Sequence, residues 1–249
     1  VLVRFLGTNG WFDSATGNSI CTLIEASDAY VVLDAGNGIH KLGRYIDDSR
    51  PVYLFLSHFH LDHIVGLHTI VKLKLPQGLQ IFGMEGAGDI LKSIIRRPFT
   101  VPLGEGPFPV KVLELPRDAD KAPFLEGYGF LVHSDPCMGF RFRLDGKTIA
   151  YCTDTGICDE LIRLGRDADL LIAECSELSG RHSETWPHLN PEDALSVARL
   201  CGAKRLALTH FNAHLYDTIE KRKEVEERLK SAFEGLTVAY DDTVIRLQA

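Results

Sequence analysis

Polar and apolar positions along this chain fall into short, well-separated blocks. The runs VLVRFL, SICTLIEA, AYVVLDAG, VYLFLSH, LQIFGM, VKVLEL and GYGFLVH either alternate or stay apolar throughout, the patterns of half-buried and fully buried strands. Between them, Ile64 to Lys74, Asp89 to Ile95 and Glu160 to Leu164 place apolar residues at helical spacing. The best-marked helix starts at Pro191: Asn190 can cap it, Pro191 suits its first position, Glu192 and Asp193 favour its positive end, and Gly202 can close it. Asp217 to Glu234 reads as a further helix whose many charges mark a solvated face. MGFRFRL and KTIAYCT flank Asp145-Gly146, the pair a two-residue hairpin turn with positive φ requires. If Leu144 opposes Lys147, Cys137 falls opposite Asp154, so His133 and Asp154 emerge at the same end of that hairpin. Pro136 keeps His133 from running on as a strand.

Alternating strands and helices indicate an α/β protein, a pattern that fits a doubly wound sheet or a sandwich of two sheets covered by helices. No repeat or low-complexity tract interrupts it, and Pro98 to Pro109 reads as a loop or flap, so one domain over residues 1–249 is the simpler expectation. With 45% hydrophobic and 24% charged residues the composition is that of an ordinary globular protein. No apolar run approaches the ~20 residues that span a bilayer, and VLVRFLG lacks the features of a secretory signal. The net charge of -7 argues against a broad nucleic-acid grip, which needs clustered Lys and Arg. Cys21, Cys137, Cys152, Cys158, Cys175 and Cys201 include no CxxC pair and read as small buried hydrophobes in a reducing, cytoplasmic setting.

Candidate chemistry concentrates where VYLFLS runs into HFHLDHIVGL. His58, His60, Asp62 and His63 put four potential ligands within six residues at a strand's carboxyl end, a density that packing alone does not reward. His58 and His60 alternate onto one side of an extended turn, and Asp62 and His63 can serve a second position nearby.

HFHLDH resembles the HxHxDH signature of the metallo-β-lactamase fold, a four-layer αββα sandwich of two mixed sheets with helices on the outer faces. Further matches extend the likeness over nearly the whole chain: His133 with SDPCMGFR, TDTG at 153–156, ADLLIAECS and LALTHF resemble motifs of ribonuclease Z, and the small cyclic phosphodiesterases of phosphonate metabolism share much of the pattern. The resemblance implies two metals, one held by His58, His60 and His133, the other by Asp62, His63 and His210, with Asp154 bridging. Imidazole and carboxylate ligands without thiolate suit Zn²⁺, with Mn²⁺ or Fe as alternatives. The resemblance also implies catalytic roles for Asp62 and for Glu174 with His188, a pair that would give a proton to the leaving oxygen. His188, and not His182, has the motif's spacing to the helix at Pro191. His40 and His68 lie outside the motifs, and His214 stands where ribonuclease Z carries an Arg. FLGTNG and GNS resemble the family's opening loop, where glycines let backbone approach the metals; Asn18 and Ser19 could equally serve a turn.

The bacterial and archaeal ribonuclease Z enzymes insert their tRNA-gripping arm between the GFR-like strand and the GDT-like aspartate, and here Asp145-Gly146 joins those strands directly. A compact phosphodiesterase acting on a small nucleotide-like or cyclic phosphate ester is therefore favoured over a tRNA 3′-end endoribonuclease. A lactone or thioester hydrolase on the same fold, and a non-catalytic metal-binding module, are the other readings. A homodimer is expected from the family alone, and no membrane association is expected.

Overall fold

The computed structural model describes residues 1–183 and 185–248. Strands β1 (Leu2–Gly7), β2 (Asn9–Gly10), β3 (Cys21–Glu25), β4 (Tyr30–Leu33), β5 (Val52–Phe55), β6 (Leu79–Met84) and β7 (Val110–Leu115) occupy the first half. They are followed by β8 (Leu125–Leu131), β9 (Cys137–Leu144), β10 (Lys147–Cys152), β11 (Leu170–Glu174), β12 (Leu206–Thr209), β13 (Phe211–Asn212), β14 (Leu236–Val238) and β15 (Val244–Arg246). Helices α1 (Leu61–Ile64), α2 (Ala87–Ile94), α3 (Asp159–Gly165), α4 (Pro191–Leu200) and α5 (Ile219–Lys230) lie between them. One sheet has the order β15-β1-β3-β4-β5-β6-β7 and the other β14-β12-β11-β10-β9-β8, and both are mixed. Among the described residues no helix is long and apolar enough to cross a membrane.

Strand faces explain the layering. Val3, Phe5, Phe55 and Phe82 from the first sheet meet Phe140, Phe142, Ile149 and Ile172 from the second in the central core. The opposite faces pack under helices: Leu54 and Ile81 with Leu67 and Leu91 on one side, Leu171 and Leu208 with Leu161 and Val197 on the other. Strands buried on both faces read as continuous apolar runs rather than alternating ones. The layers are therefore α, β, β, α, the sandwich and not the doubly wound sheet. Phe55 sits among Phe82, Phe140 and Phe142 at ring separations of 4.8, 5.4 and 5.0 Å, which fixes the end of β5 against β9.

Helix α4 follows the expected rules, with the Asn190 side chain accepting from the Asp193 amide at 2.9 Å and Gly202 at φ +69°. The segment from Ile64 to Lys74 departs from expectation: α1 ends at Ile64 and a 3₁₀ helix takes over at Val65–Lys72. The cause is pairing outside the helix, because the His63 carbonyl accepts from Ala35 N and the Gly66 amide donates to Ala35 O. Those groups are lost to i→i−4 bonding. At the second hairpin, Leu144 pairs with Lys147 across Asp145 (φ 47°) and Gly146 (φ 75°), and the Asp145 carboxylate takes both the amide and hydroxyl of Ser27. The turn is as tight as its sequence demands and is fastened to the first sheet's β3–β4 turn.

Candidate metal centre

Strand ends build the site. The loop after β5 carries His58 and His60, and α1 presents Asp62 and His63. His133 lies in the loop between β8 and β9, Asp154 follows β10, Glu174 ends β11 and His210 follows β12. Asp34, Asp154 and His210, each just past a strand, hold positive φ of 57, 54 and 52°. Backbone in this sparsely populated region is uncommon outside glycine and clusters where function demands it. Gly10 meets the requirement for close approach, since a Cβ there would stand 2.6 Å from His210 Cε1.

Hydrogen bonds on the outward ring nitrogens decide which way the lone pairs point. The Ser176 hydroxyl donates to the His210 carbonyl at 2.8 Å, so it can only accept from His210 Nδ1 at 2.9 Å, leaving Nε2 as an acceptor. Asp34 accepts from His63 Nδ1 at 2.9 Å and Asp135 from His60 Nε2 at 2.9 Å. Ser57 gives its hydroxyl proton to Asp34 and accepts from His58 Nδ1 at 3.0 Å. Tyr151 completes the set by donating to Asp34 at 2.7 Å. Each of these partners fixes a tautomer, the arrangement metal-bound histidines use.

The inward atoms then converge. Donor atoms of His58, His60 and His133 form one group, those of Asp62, His63 and His210 another, each with its atoms within 4.8 Å of one another. Asp154 groups with His58 and His63, and again with His133 and His188, so it lies between the two sets. His63 Nε2 and His210 Nε2 face each other at 3.1 Å, two lone pairs that repel unless a proton or cation sits between them. His58 Nε2, His133 Nδ1 and Asp154 Oδ2 are buried without a hydrogen-bond partner, a cost of ~1–3 kcal/mol each in a protein interior. Asp154 Oδ2 is 3.2 Å from His63 Nε2, close in charge but not aligned as a hydrogen bond. Burial opposes charge on His63, yet Asp154, Asp34 and Asp62 outweigh it and push the imidazole well above its ordinary range. Burial also opposes ionisation of Asp154, but His210 and His63 hold its carboxyl well below the usual carboxylate range. The carboxylates thus call for positive charge at the point where the lone pairs meet, and the residues fit divalent metal.

Glu174 and His188 stand beside this cluster. The Glu174 carboxylate accepts from His188 Nδ1 at 2.8 and 2.9 Å and from the Thr155 amide at 2.6 Å, tying His188 to the backbone next to Asp154. Burial disfavours the imidazolium, but the Glu174 charge and hydrogen bond prevail and raise His188 to about 9. With Nδ1 held by Glu174, Nε2 is the ring nitrogen His188 has left to offer, and His188 groups with His133 and Asp154. Distance alone would also admit it as a ligand.

The sequence-derived site residues His58, His60, Asp62, His63, His133, Asp154, Glu174, His188 and His210 all meet here. His182 instead pairs with Asp193 at 3.2 Å, outside the cluster, while His40, His68 and His214 are exposed. Asn18 and Ser19 serve the loop, Asn18 bonding Asp241 and Ser19 accepting from the Asn37 amide. Motif reading missed Asp34, Ser57, Asp135 and Ser176. Their signal was adjacency: each lies next to a motif residue or at the end of a predicted strand, where a metal-binding histidine needs a partner for its other nitrogen. It also missed the rim. Trp11, Leu61 and Trp186 line, with His60, Asp62 and His188, a cavity of about 290 Å³. The chain's two tryptophans stack at 5.9 Å and 20°.

Fold and donor geometry together define a metallo-hydrolase class. The description "Beta-lactamase superfamily domain" matches residues 29–211, and the chain belongs to that family. It is 25% identical over 237 residues to "Probable metallo-hydrolase YhfI" of Bacillus subtilis, covering 88% of this chain and 91% of that one. A "Ribonuclease Z" of Methanosarcina acetivorans is 24% identical, with 96% and 95% covered. Among solved structures, YhfI superposes with a TM-score of 0.77 at 21% identity over 98% of both chains. A diphosphatase from the PhnP family gives 0.70 at 19% identity, covering 99% and 98%.

Proposed function

We propose that the protein is a two-metal phosphodiesterase acting on a small nucleotide-like or cyclic phosphate ester, with the whole chain serving as one domain. The observation that carries this is the pair of donor sets meeting at Asp154 beside Glu174 and His188. Relatives named ribonuclease Z and a structural neighbour titled a diphosphatase support chemistry at phosphorus. His58, His60 and His133 would hold one ion, Asp62, His63 and His210 the other, with Asp154 shared; the imidazole and carboxylate donors favour Zn²⁺, with Mn²⁺ or Fe as alternatives. Bound there, such ions would supply an activated water and would neutralise charge developing on phosphoryl oxygens.

The protein's own groups do the rest. Asp62 is fixed by the Trp11 amide, which donates to its Oδ2 at 2.7 Å. His188, protonated because Glu174 holds its other nitrogen, delivers a proton from Nε2 to the departing alkoxide. Glu174 thus orients the acid and sets its protonation.

The tRNA-processing reading loses ground at the β9–β10 connection, where a two-residue turn leaves no arm. Six unpaired thiols suit a reducing, cytoplasmic setting, and a homodimer is proposed from the family likeness. Metal-reconstituted protein assayed on bis(p-nitrophenyl) phosphate beside lactones and thioesters tests the reading. Turnover of the phosphodiester above the carbonyl esters is expected; faster lactone or thioester turnover contradicts it.

A further inference from the structure

The rim of the cavity differs in kind from its floor. Trp11 is 56% exposed and Leu61 65%, and both border one cavity with the proposed ligands His60 and Asp62. Trp11 also holds φ at 72°, a backbone conformation that costs a bulky residue energy, and its amide is bound to Asp62. The backbone that carries the indole is therefore pinned to the site. Trp186 lies parallel to His60 at 6.3 Å and 3° and stacks on Trp11. His188 lines the same cavity, and among the described residues no Lys or Arg does.

From this we infer that Trp11 and Trp186 form a stacking subsite for the leaving group, selecting phosphodiesters whose departing alcohol carries a planar ring, a nucleobase or a simple aryl group. The inference rests on reading His188 as the proton donor, because whatever lies against the indoles then shares the cavity with the group that protonates the leaving oxygen. Indole faces stack on planar rings without needing a particular hydrogen-bond pattern. The lack of cationic side chains gives no hold on a second phosphate or a nucleic-acid backbone there.

The test uses three 2′,3′-cyclic phosphates with the same reacting alcohols: those of adenosine, benzyl riboside and methyl riboside. Zinc-loaded enzyme is expected to show kcat/KM about tenfold or more higher for the two ring-bearing esters than for the methyl riboside, the scale of one stacked base. An advantage for adenosine alone identifies a nucleobase, and an equal advantage for benzyl riboside identifies any aryl ring. Trp11→Ala and Trp186→Ala should bring the ratio towards one, and Trp186→Phe should retain part of it, with zinc content measured to verify each fold. Because the chain has only these two tryptophans, intrinsic fluorescence reports on the subsite without catalysis. Adenosine 3′-phosphate should quench it saturably while ribose phosphate does not. Equal kcat/KM on all three esters, or a preference that survives the double alanine variant, overturns the inference. If bis(p-nitrophenyl) phosphate is not cleaved, the phosphodiesterase reading fails separately; the quenching contrast then decides the aromatic subsite alone.

Discussion

The floor and the rim of the cavity follow opposite rules. On the floor, His58, His63, Asp154, Glu174 and His210 are buried, and outward ring nitrogens of its histidines are fixed by Asp34, Ser57, Asp135, Ser176 or Glu174. At the rim, Trp11, Leu61 and Trp186 present apolar surface held mainly by stacking and by one backbone hydrogen bond to Asp62. Groups whose lone pairs must converge cannot be loosely held, since a misplaced ligand or general acid loses most of its effect. Groups that only recognise a substrate can stay exposed. Chemistry should therefore belong to the floor, and substrate choice to the rim.

Substitutions can break that division, beginning with the largest effect. Asp154→Ala should lower turnover of every phosphodiester by more than about a thousandfold, because a ligand shared between two metals, as proposed for Asp154, would carry the several kcal/mol that bound metal contributes; metal analysis and steady-state kinetics on two unlike esters check it. A loss confined to one ester would mean the floor also selects substrate. His188→Ala should cost about a hundredfold to ten-thousandfold in kcat, the range of a lost general acid. The sign of the pH effect follows from Glu174. Its charge raises His188, so the protonated acid is lost on the alkaline side, and Glu174→Gln should move the alkaline limb of kcat to lower pH. An unmoved limb in that variant assigns the limb to another group.

Smaller effects should come from the outward partners. Asp34→Asn and Ser176→Ala should weaken metal affinity by about 10–100-fold, the usual consequence of losing a histidine's orienting partner, measured by competition with a chelator. The smallest change is expected at His182, exposed and paired with Asp193: His182→Ala should alter kcat/KM by less than about twofold, as for most surface positions.

How far the sequence could reach follows the same division. The contiguous ligands of HFHLDH, the capped helix at Pro191 and the Asp145-Gly146 turn were legible because each depends on neighbours in the chain. The choice of sandwich over doubly wound sheet was not legible from periodicity, since β-strands buried on both faces look alike in either architecture; the family likeness supplied it. The 3₁₀ stretch at Val65–Lys72 escaped because its cause is the pairing of His63 and Gly66 with Ala35, a contact between segments far apart in sequence. Trp11 and Trp186 escaped for a similar reason. Nothing local says that position 11 will stack on position 186.

We propose that the two donor sets sharing Asp154 form one two-metal site. Titrating metal-free protein with Zn²⁺, while following bound metal and bis(p-nitrophenyl) phosphate turnover together, tests it most directly. Two equivalents per chain, with turnover rising as the second binds, is the predicted result; saturation at one equivalent with full activity, or turnover independent of metal, would contradict it.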